Sequence, residues 1–232
     1  MVGNLNADLS RRSFAAICSA MPYDAEATKR RIFEAAAAEF AERGIAGARI
    51  NQIAERARAN KQLIYAYFGD KEQLFAAVLQ QRLEQLAEAV VLDPDRVPEY
   101  VGELFDFHAA NPDLVRLVLW EALHCEPGQV PNQAGRAERY RETVTALVNS
   151  QSVGKMDASL EPRHTLFMLL SLAGWWFAAP QVAHMMINAD PSSAPVLANH
   201  RAHIVEAARR LVASTTSKVA PEGEETEPKT ST

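Results

Sequence analysis

Nowhere along the 232 residues do apolar and polar side chains alternate convincingly at period two. Apolar residues return instead every three or four positions, the spacing that gathers them on one face of an α-helix. Helix breakers divide this pattern at Gly44, Gly69, Asp93-Pro94, Asn111-Pro112, Glu126-Pro127-Gly128, the loop over 150–157 and the stretch from Ala189 to Pro195. Helical runs of roughly 12–25 residues between such breaks predict an all-α chain of about nine helices.

The first helix starts at Asp24, with Ile32, Ala36 and Phe40 one turn apart and Phe33 and Ala37 beside them. Glu39 and Glu42 are expected on its wet face, and Gly44 is expected to end it. A short second helix turns Ile50, Ile53 and Ala57 inward; Arg58-Ala59 is a turn, and Asn60 is a good N-cap for a third helix. Ile64 and Phe68 form the inner face of that third helix, and Gly69 stops it. Asp70 caps a long fourth helix, whose inner residues are Leu74, Phe75, Val78, Leu79, Leu83 and Leu86. The expected organisation is a loose arm over 1–23, a three-helix helix-turn-helix domain over 24–70, a larger helical domain over 71–213, and a disordered Ser/Thr/Pro/Glu-rich tail over 214–232.

Short helices joined by a tight turn lay the last helix in a DNA major groove while flanking groups grip phosphates. The chemistry of "NKQLIYAYFGDK" suits that task. With Ile64 and Phe68 inward, Lys61, Gln62, Tyr65 and Tyr67 point outward or sideways. Glutamine can make a two-point contact with adenine, and tyrosine hydroxyls bond phosphate oxygens. Lys71 adds a charge at the start of the fourth helix, and four basic residues against one acid lie between Arg49 and Lys61. The alternative for each tyrosine alone is helix packing with a wet hydroxyl.

Charge is distributed accordingly. The chain carries a net charge of -5, yet residues 24–82 hold 10 basic and 8 acidic side chains, so the acidic excess lies beyond them. A polyanion partner is therefore expected for the N-terminal part only. Two cysteines, Cys18 and Cys125, offer neither a disulfide framework nor a CxxC pair, which makes a reducing cytoplasm the default. No apolar run at the N-terminus suggests a secretory leader. No Asp, Glu, Lys or Arg lies between Arg163 and Asp190, but Ser171, Gly174, Pro180, Gln181, His184 and Asn188 interrupt the run. A buried or intersubunit helix is expected there rather than a membrane span of about 20 apolar residues.

The segments "RRIFEAAAAEFAERG", "INQIAERA", "LIYAYF" and "DKEQLFAAV" resemble the N-terminal domain of the TetR/AcrR family of transcriptional regulators. The resemblance covers residues from about Thr28 to Leu79 and includes the family's aromatic run ending at Phe68 and its lysine at Lys71. It implies a homodimeric one-component repressor that binds a duplex operator through helices one to three and a small effector through the later helices. By the same resemblance, Tyr65, Tyr67 and Lys71 match phosphate-contacting positions, and Gln62 and Leu63 match base-facing ones. Three positions depart from the family pattern. Ala48 stands where a phosphate-binding threonine is common, leaving Arg49 to replace it; Arg58 stands where the turn usually has glycine; Gln62 and Leu63 are larger than the usual small residues. With the N-capping Asn60, the candidate DNA-binding set is Arg49, Asn60, Lys61, Gln62, Leu63, Tyr65, Tyr67 and Lys71.

The acidic remainder then falls to sensing and assembly. An apolar, aromatic cavity with a few polar groups is what a small-molecule site requires. Leu117, Trp120, Glu121 and His124 share one face of a helix over 112–124, the helix before it offers Phe105 and His108, and the uncharged helix offers Phe167, Ser171 and Trp175. These form the candidate effector set, for an aromatic or lipophilic molecule, a cation included; an aromatic stripe at this spacing serves equally as plain core. For dimerisation, the family resemblance favours a four-helix interface built from Leu169, Leu172 and Trp176 in one helix and Val196, Leu197, His200, Ile204, Ala207, Ala208 and Leu211 in another. His200 and His203 lie one turn apart without a third ligand, so no metal or other cofactor is expected. An activator, or a regulator answering a protein partner, fits the same pattern. A helical enzyme would need a nucleophile–base pair or convergent ligands, and none stands at recognisable spacing.

Overall fold

A computed structural model describes residues 25–213, which form ten α-helices and no strand. The expected arm over 1–23 and tail over 214–232 lie outside the described residues. The helices are α1 (Ala25–Gly47), α2 (Ile50–Ala57), α3 (Lys61–Phe68), α4 (Lys71–Ala89), α5 (Val97–Ala110), α6 (Pro112–His124), α7 (Gln133–Ser152), α8 (Pro162–Ala178), α9 (Pro180–Ile187) and α10 (Ala194–Val212). One more helix appears than the sequence predicted. The uncharged helix, expected near 165–179, ends at Ala178, and the chain bends by 82° into a further helix, α9. Proline has no amide hydrogen to continue α8 but suits the first turn of a new helix.

Two compact units divide the described residues, the first taking 25–85 together with 111–131, the second 86–110 and 132–213. The sequence placed the boundary between the two helical domains after residue 70. The structure instead puts the first part of α4, and all of α6, in the unit that holds the helix-turn-helix. No single described helix is long and apolar enough to cross a membrane; the bent pair α8–α9 reaches that length and composition only together.

In the first unit the expected apolar positions are inside: Ile32, Ala36, Phe40, Ile53, Ile64, Leu74 and Leu79 are all buried. Phe40 meets Phe75 edge-on at 5.2 Å, and Phe33 meets Phe68 at 5.0 Å. Gly44 marks a kink rather than the end of α1, with φ 67° and the helix resuming to Gly47. It must be glycine for a second reason, since a Cβ there would stand 2.7 Å from the Trp120 indole. Just before the kink, the Ala41 carbonyl takes hydrogen bonds from Arg116 Nε (2.7 Å) and Trp120 Nε1 (3.3 Å) of α6. Arg82 joins three helices, bonding Glu34 on α1 at 2.7 Å and Asp113 on α6 at 2.9 Å.

The second unit packs α5 against α8 and α10 around Val101, Leu104, Phe105, Leu147, Leu166, Leu169, Ala173 and Ala208. Gly102 lets α10 come close, because a Cβ there would lie 2.9 Å from the Arg201 guanidinium and 3.0 Å from Val205. Arg201 Nε is 2.8 Å from both oxygens of Asp106.

Candidate nucleic-acid interface

The turn between α2 and α3 is built as the sequence suggested. Arg58 adopts the left-handed conformation (φ 49°, ψ 44°), and the Ala59 amide reaches back to the Ala54 carbonyl at 2.9 Å. This closes α2 in the manner usual for glycine, at a steric cost that arginine bears. Asn60 then caps α3, its Oδ1 accepting from the Gln62 amide at 2.9 Å. Asn60 thus takes the capping role the sequence expected of it. Asp70 and Gln73 exchange side-chain and backbone hydrogen bonds of 2.7 and 3.0 Å, a reciprocal cap that starts α4.

Between these caps α3 turns Ile64 inward and leaves Lys61, Gln62 and Tyr65 exposed. Leu63 and Tyr67 are half-buried at the sides. Lys61 Nζ sits over the Tyr65 ring at 5.8 Å, and Lys29 Nζ over the Tyr67 ring at 5.5 Å. Each lysine thus holds its charge against a tyrosine ring, so a cation and an aromatic hydroxyl are offered by neighbouring side chains. Lys29 was missed by the sequence reading, because its neighbour Tyr67 lies on another helix.

Lys71 is committed partly to the protein. Its Nζ lies 3.3 Å from the Ala46 carbonyl and 3.5 Å from that of Ala48. An ammonium has three donors, so Lys71 fastens the α1–α2 loop and keeps capacity for an anion. Arg49 is exposed at the start of α2, beside the buried Ala48. The larger surprise is Glu39, expected on a wet face but fully buried. Its carboxylate accepts the Arg49 amide at 3.3 Å and stands 3.4 Å from Arg43 Nε and 3.6 Å from Arg56 Nη2. Helical periodicity shows which face a residue is on, but not that two arginines from α1 and α2 close over it.

The candidate effector residues are divided between the two units. Leu117, Trp120, Glu121 and His124 belong to the first unit, where Leu117 and Glu121 are buried and His124 is exposed. Phe105 and His108 lie in the second unit's interior, against Phe177 at 4.9 and 5.9 Å. Burial pushes the His108 imidazole down to about 4, so it is neutral, and its buried Nδ1 has no hydrogen-bond partner. Phe167, Ser171 and Trp175 face outward one turn apart on α8, in an apolar groove of about 860 Å³ that α9 and α10 complete with Met186, Ile187 and Leu211.

Of the expected interface residues, Leu169 and Ala208 are fully covered within their own unit, and Ile204 nearly so. They serve that unit's core and offer a partner little or no surface. Leu172, Trp176, His200, Ala207 and Leu211 line the groove, as does the small exposed part of Ile204. Val196 lines an adjoining hollow, and Leu197 is half-buried against the core. Trp176 stacks on His200 at 3.8 Å and donates its indole N–H to the Pro191 carbonyl at 3.1 Å. Among the described residues no three His, Cys, Asp or Glu side chains gather as metal ligands.

A capped eight-residue helix with exposed Lys61, Gln62 and Tyr65, set after a tight turn on a three-helix core, defines a helix-turn-helix DNA-binding protein. Comparison with known proteins places it more narrowly. Residues 32–78 match the model of bacterial regulatory proteins of the tetR family, and residues 96–210 match a tetracyclin repressor-like C-terminal domain. The chain is 44% identical over 189 residues to the HTH-type transcriptional repressor SCO4008 of Streptomyces coelicolor, spanning 82% of this chain and 97% of that protein. It is 31% identical over 163 residues to the HTH-type transcriptional regulator RutR of Escherichia coli K12, covering 67% of this chain and 77% of that one. The crystal structure of a transcriptional regulator, SCO4942 of Streptomyces coelicolor, superposes with a TM-score of 0.70 at 36% identity over 80% of this chain and 98% of that one. The chain belongs to the TetR family and acts in transcription regulation.

Proposed function

We propose that the protein is a repressor that binds a palindromic operator as a homodimer and is released by a small aromatic or lipophilic effector. It is a regulator rather than an enzyme, working on DNA in the cytoplasm. The observation that carries the DNA reading is the outward face of α3, where Lys61, Gln62 and Tyr65 stand exposed between two capped ends. The similarity to a named repressor over 97% of its length supports repression rather than activation.

Self-association rests on the groove of the second unit. Phe167, Trp175 and Met186 are 72%, 65% and 81% exposed there. An apolar surface of this kind marks an interaction site. The partner is a second copy, because a two-fold interface sets a patch against itself. A patch with no Asp, Glu, Lys or Arg from His164 to Ala189 can do so without like-charge repulsion. Phe167 and Trp175, which the sequence assigned to an effector, belong to this face in the proposal. For the effector, the supporting observation is the neutral, unsatisfied His108 amid Phe105 and Phe177.

The test is titration of duplexes from the DNA around the protein's own gene, with the oligomeric state followed by sedimentation. The proposal expects one sequence preferred over random duplex, a dimer on the DNA, and half-site centres about one helical turn or slightly more apart. A monomer bound to a single half-site would refute the homodimer.

A further inference from the structure

Glu39 is a fully buried carboxylate directly behind the α1–α2 loop, and the reading of this unit as DNA-binding gives it no role. Its Oε1 takes the Arg49 amide, at the start of a helix whose own N-cap residue makes no side-chain cap. A negative charge there complements the positive end of α2. From the opposite side, Lys71 Nζ holds the carbonyls of Ala46 and Ala48. The junction of α1 and α2 is therefore fixed through the Arg49 amide by an acid and through two carbonyls by a cation.

The same carboxylate restrains two cations. Arg43 Nε and Arg56 Nη2 lie 3.4 and 3.6 Å from it, and each guanidinium also reaches Glu42 at 3.3 Å. Two acids thus face two arginines, and the group is neutral beside a surface that meets a polyanion. Arg43 and Arg56 are about half-exposed, so without the acids they would be available to any phosphate.

We infer that Glu39 is a positioning residue that sets DNA specificity: it fixes Arg49 and the start of α2 while withholding Arg43 and Arg56 from phosphates. Sequence-independent attraction is thereby kept low, and discrimination is left to α3. The inference rests on the DNA-binding reading of this unit.

The experiment compares wild type with Glu39→Gln, which keeps an acceptor oxygen for the Arg49 amide but removes the charge. Operator and random duplex are each titrated over a series of salt concentrations. Glu42 alone then faces both guanidinium groups, one positive charge is released, and the log K–log salt slope for random duplex steepens by about 0.9. The operator-to-random ratio falls about tenfold. A merely structural role would weaken both duplexes together and leave the random-duplex slope unchanged, and that result overturns the inference. Should Glu39→Gln not fold, the exposed Glu42→Gln releases the same charge; an unchanged slope in that variant refutes the withholding of the arginines. If wild type itself shows no salt-dependent binding to any duplex, the DNA reading fails, and this inference with it.

Discussion

Replacing His108 by leucine should remove most of the protein's excess sensitivity to mild acid. His108 is 9% exposed, packs near Phe177, and is held at about 4 against an ordinary value of 6.5 because burial disfavours the cation. A histidine whose folded value is depressed stays neutral in the native state while the unfolded chain takes up a proton. Its contribution to stability is therefore complete above pH 6.5 and is lost as the pH falls toward 4. Integrating the proton linkage with these two values gives a loss of about 2 kcal/mol between pH 7.5 and pH 5. Leucine has similar volume and no titrating group, and it also removes the buried Nδ1 that lacks a partner. Urea unfolding of both proteins at the two pH values, at one protein concentration, isolates the term because all other titrating groups cancel. The account expects the wild type to lose about 2 kcal/mol more than the variant. Equal losses would show that His108 is not buried as a neutral group, and the argument for it as an effector contact would fall with that.

Other expectations follow from particular contacts. Arg58→Gly should stabilise the protein by about 1 kcal/mol in thermal or chemical melts, because the left-handed backbone at φ 49° suits glycine. Gly44→Ala should destabilise it by about 1–3 kcal/mol and shift tryptophan emission, since φ 67° and the Trp120 ring 2.7 Å from a Cβ both oppose it. A charge at Trp175, as in Trp175→Glu, should give a monomer in sedimentation without lowering monomer stability, because this side chain is 65% exposed. The same charge at Trp176 is a poorer probe, since it would also break the stack on His200.

The elements legible in the sequence are those whose signals are local. The caps at Asn60 and Asp70, the turn at Arg58 and the inward apolar row of Ile32, Ala36 and Phe40 follow from spacing and propensity within a few residues, and the structure has them all. What escaped depends on residues distant in sequence. Glu39 is buried because Arg43 and Arg56 cover it, and Trp120 is turned toward α1 by the Ala41 carbonyl. Helical periodicity likewise put Phe167, Ser171 and Trp175 on one face of α8, but it could not say that the face is an open groove instead of an enclosed pocket. The short helix α9 was not foreseen because Pro180 reads as a break, although proline also suits the first turn of a new helix.

The central claim is that the exposed face of α3 reads DNA, and selection from a pool of random duplexes tests it most directly. Wild type, Gln62→Ala and Lys61→Ala are each used to enrich sequences, and the preferred sites are compared. The account predicts a two-fold symmetric site for wild type, altered base preference at one position per half-site for Gln62→Ala, and the wild-type site bound more weakly by Lys61→Ala. Enrichment of the same site with the same affinity by all three proteins would contradict it.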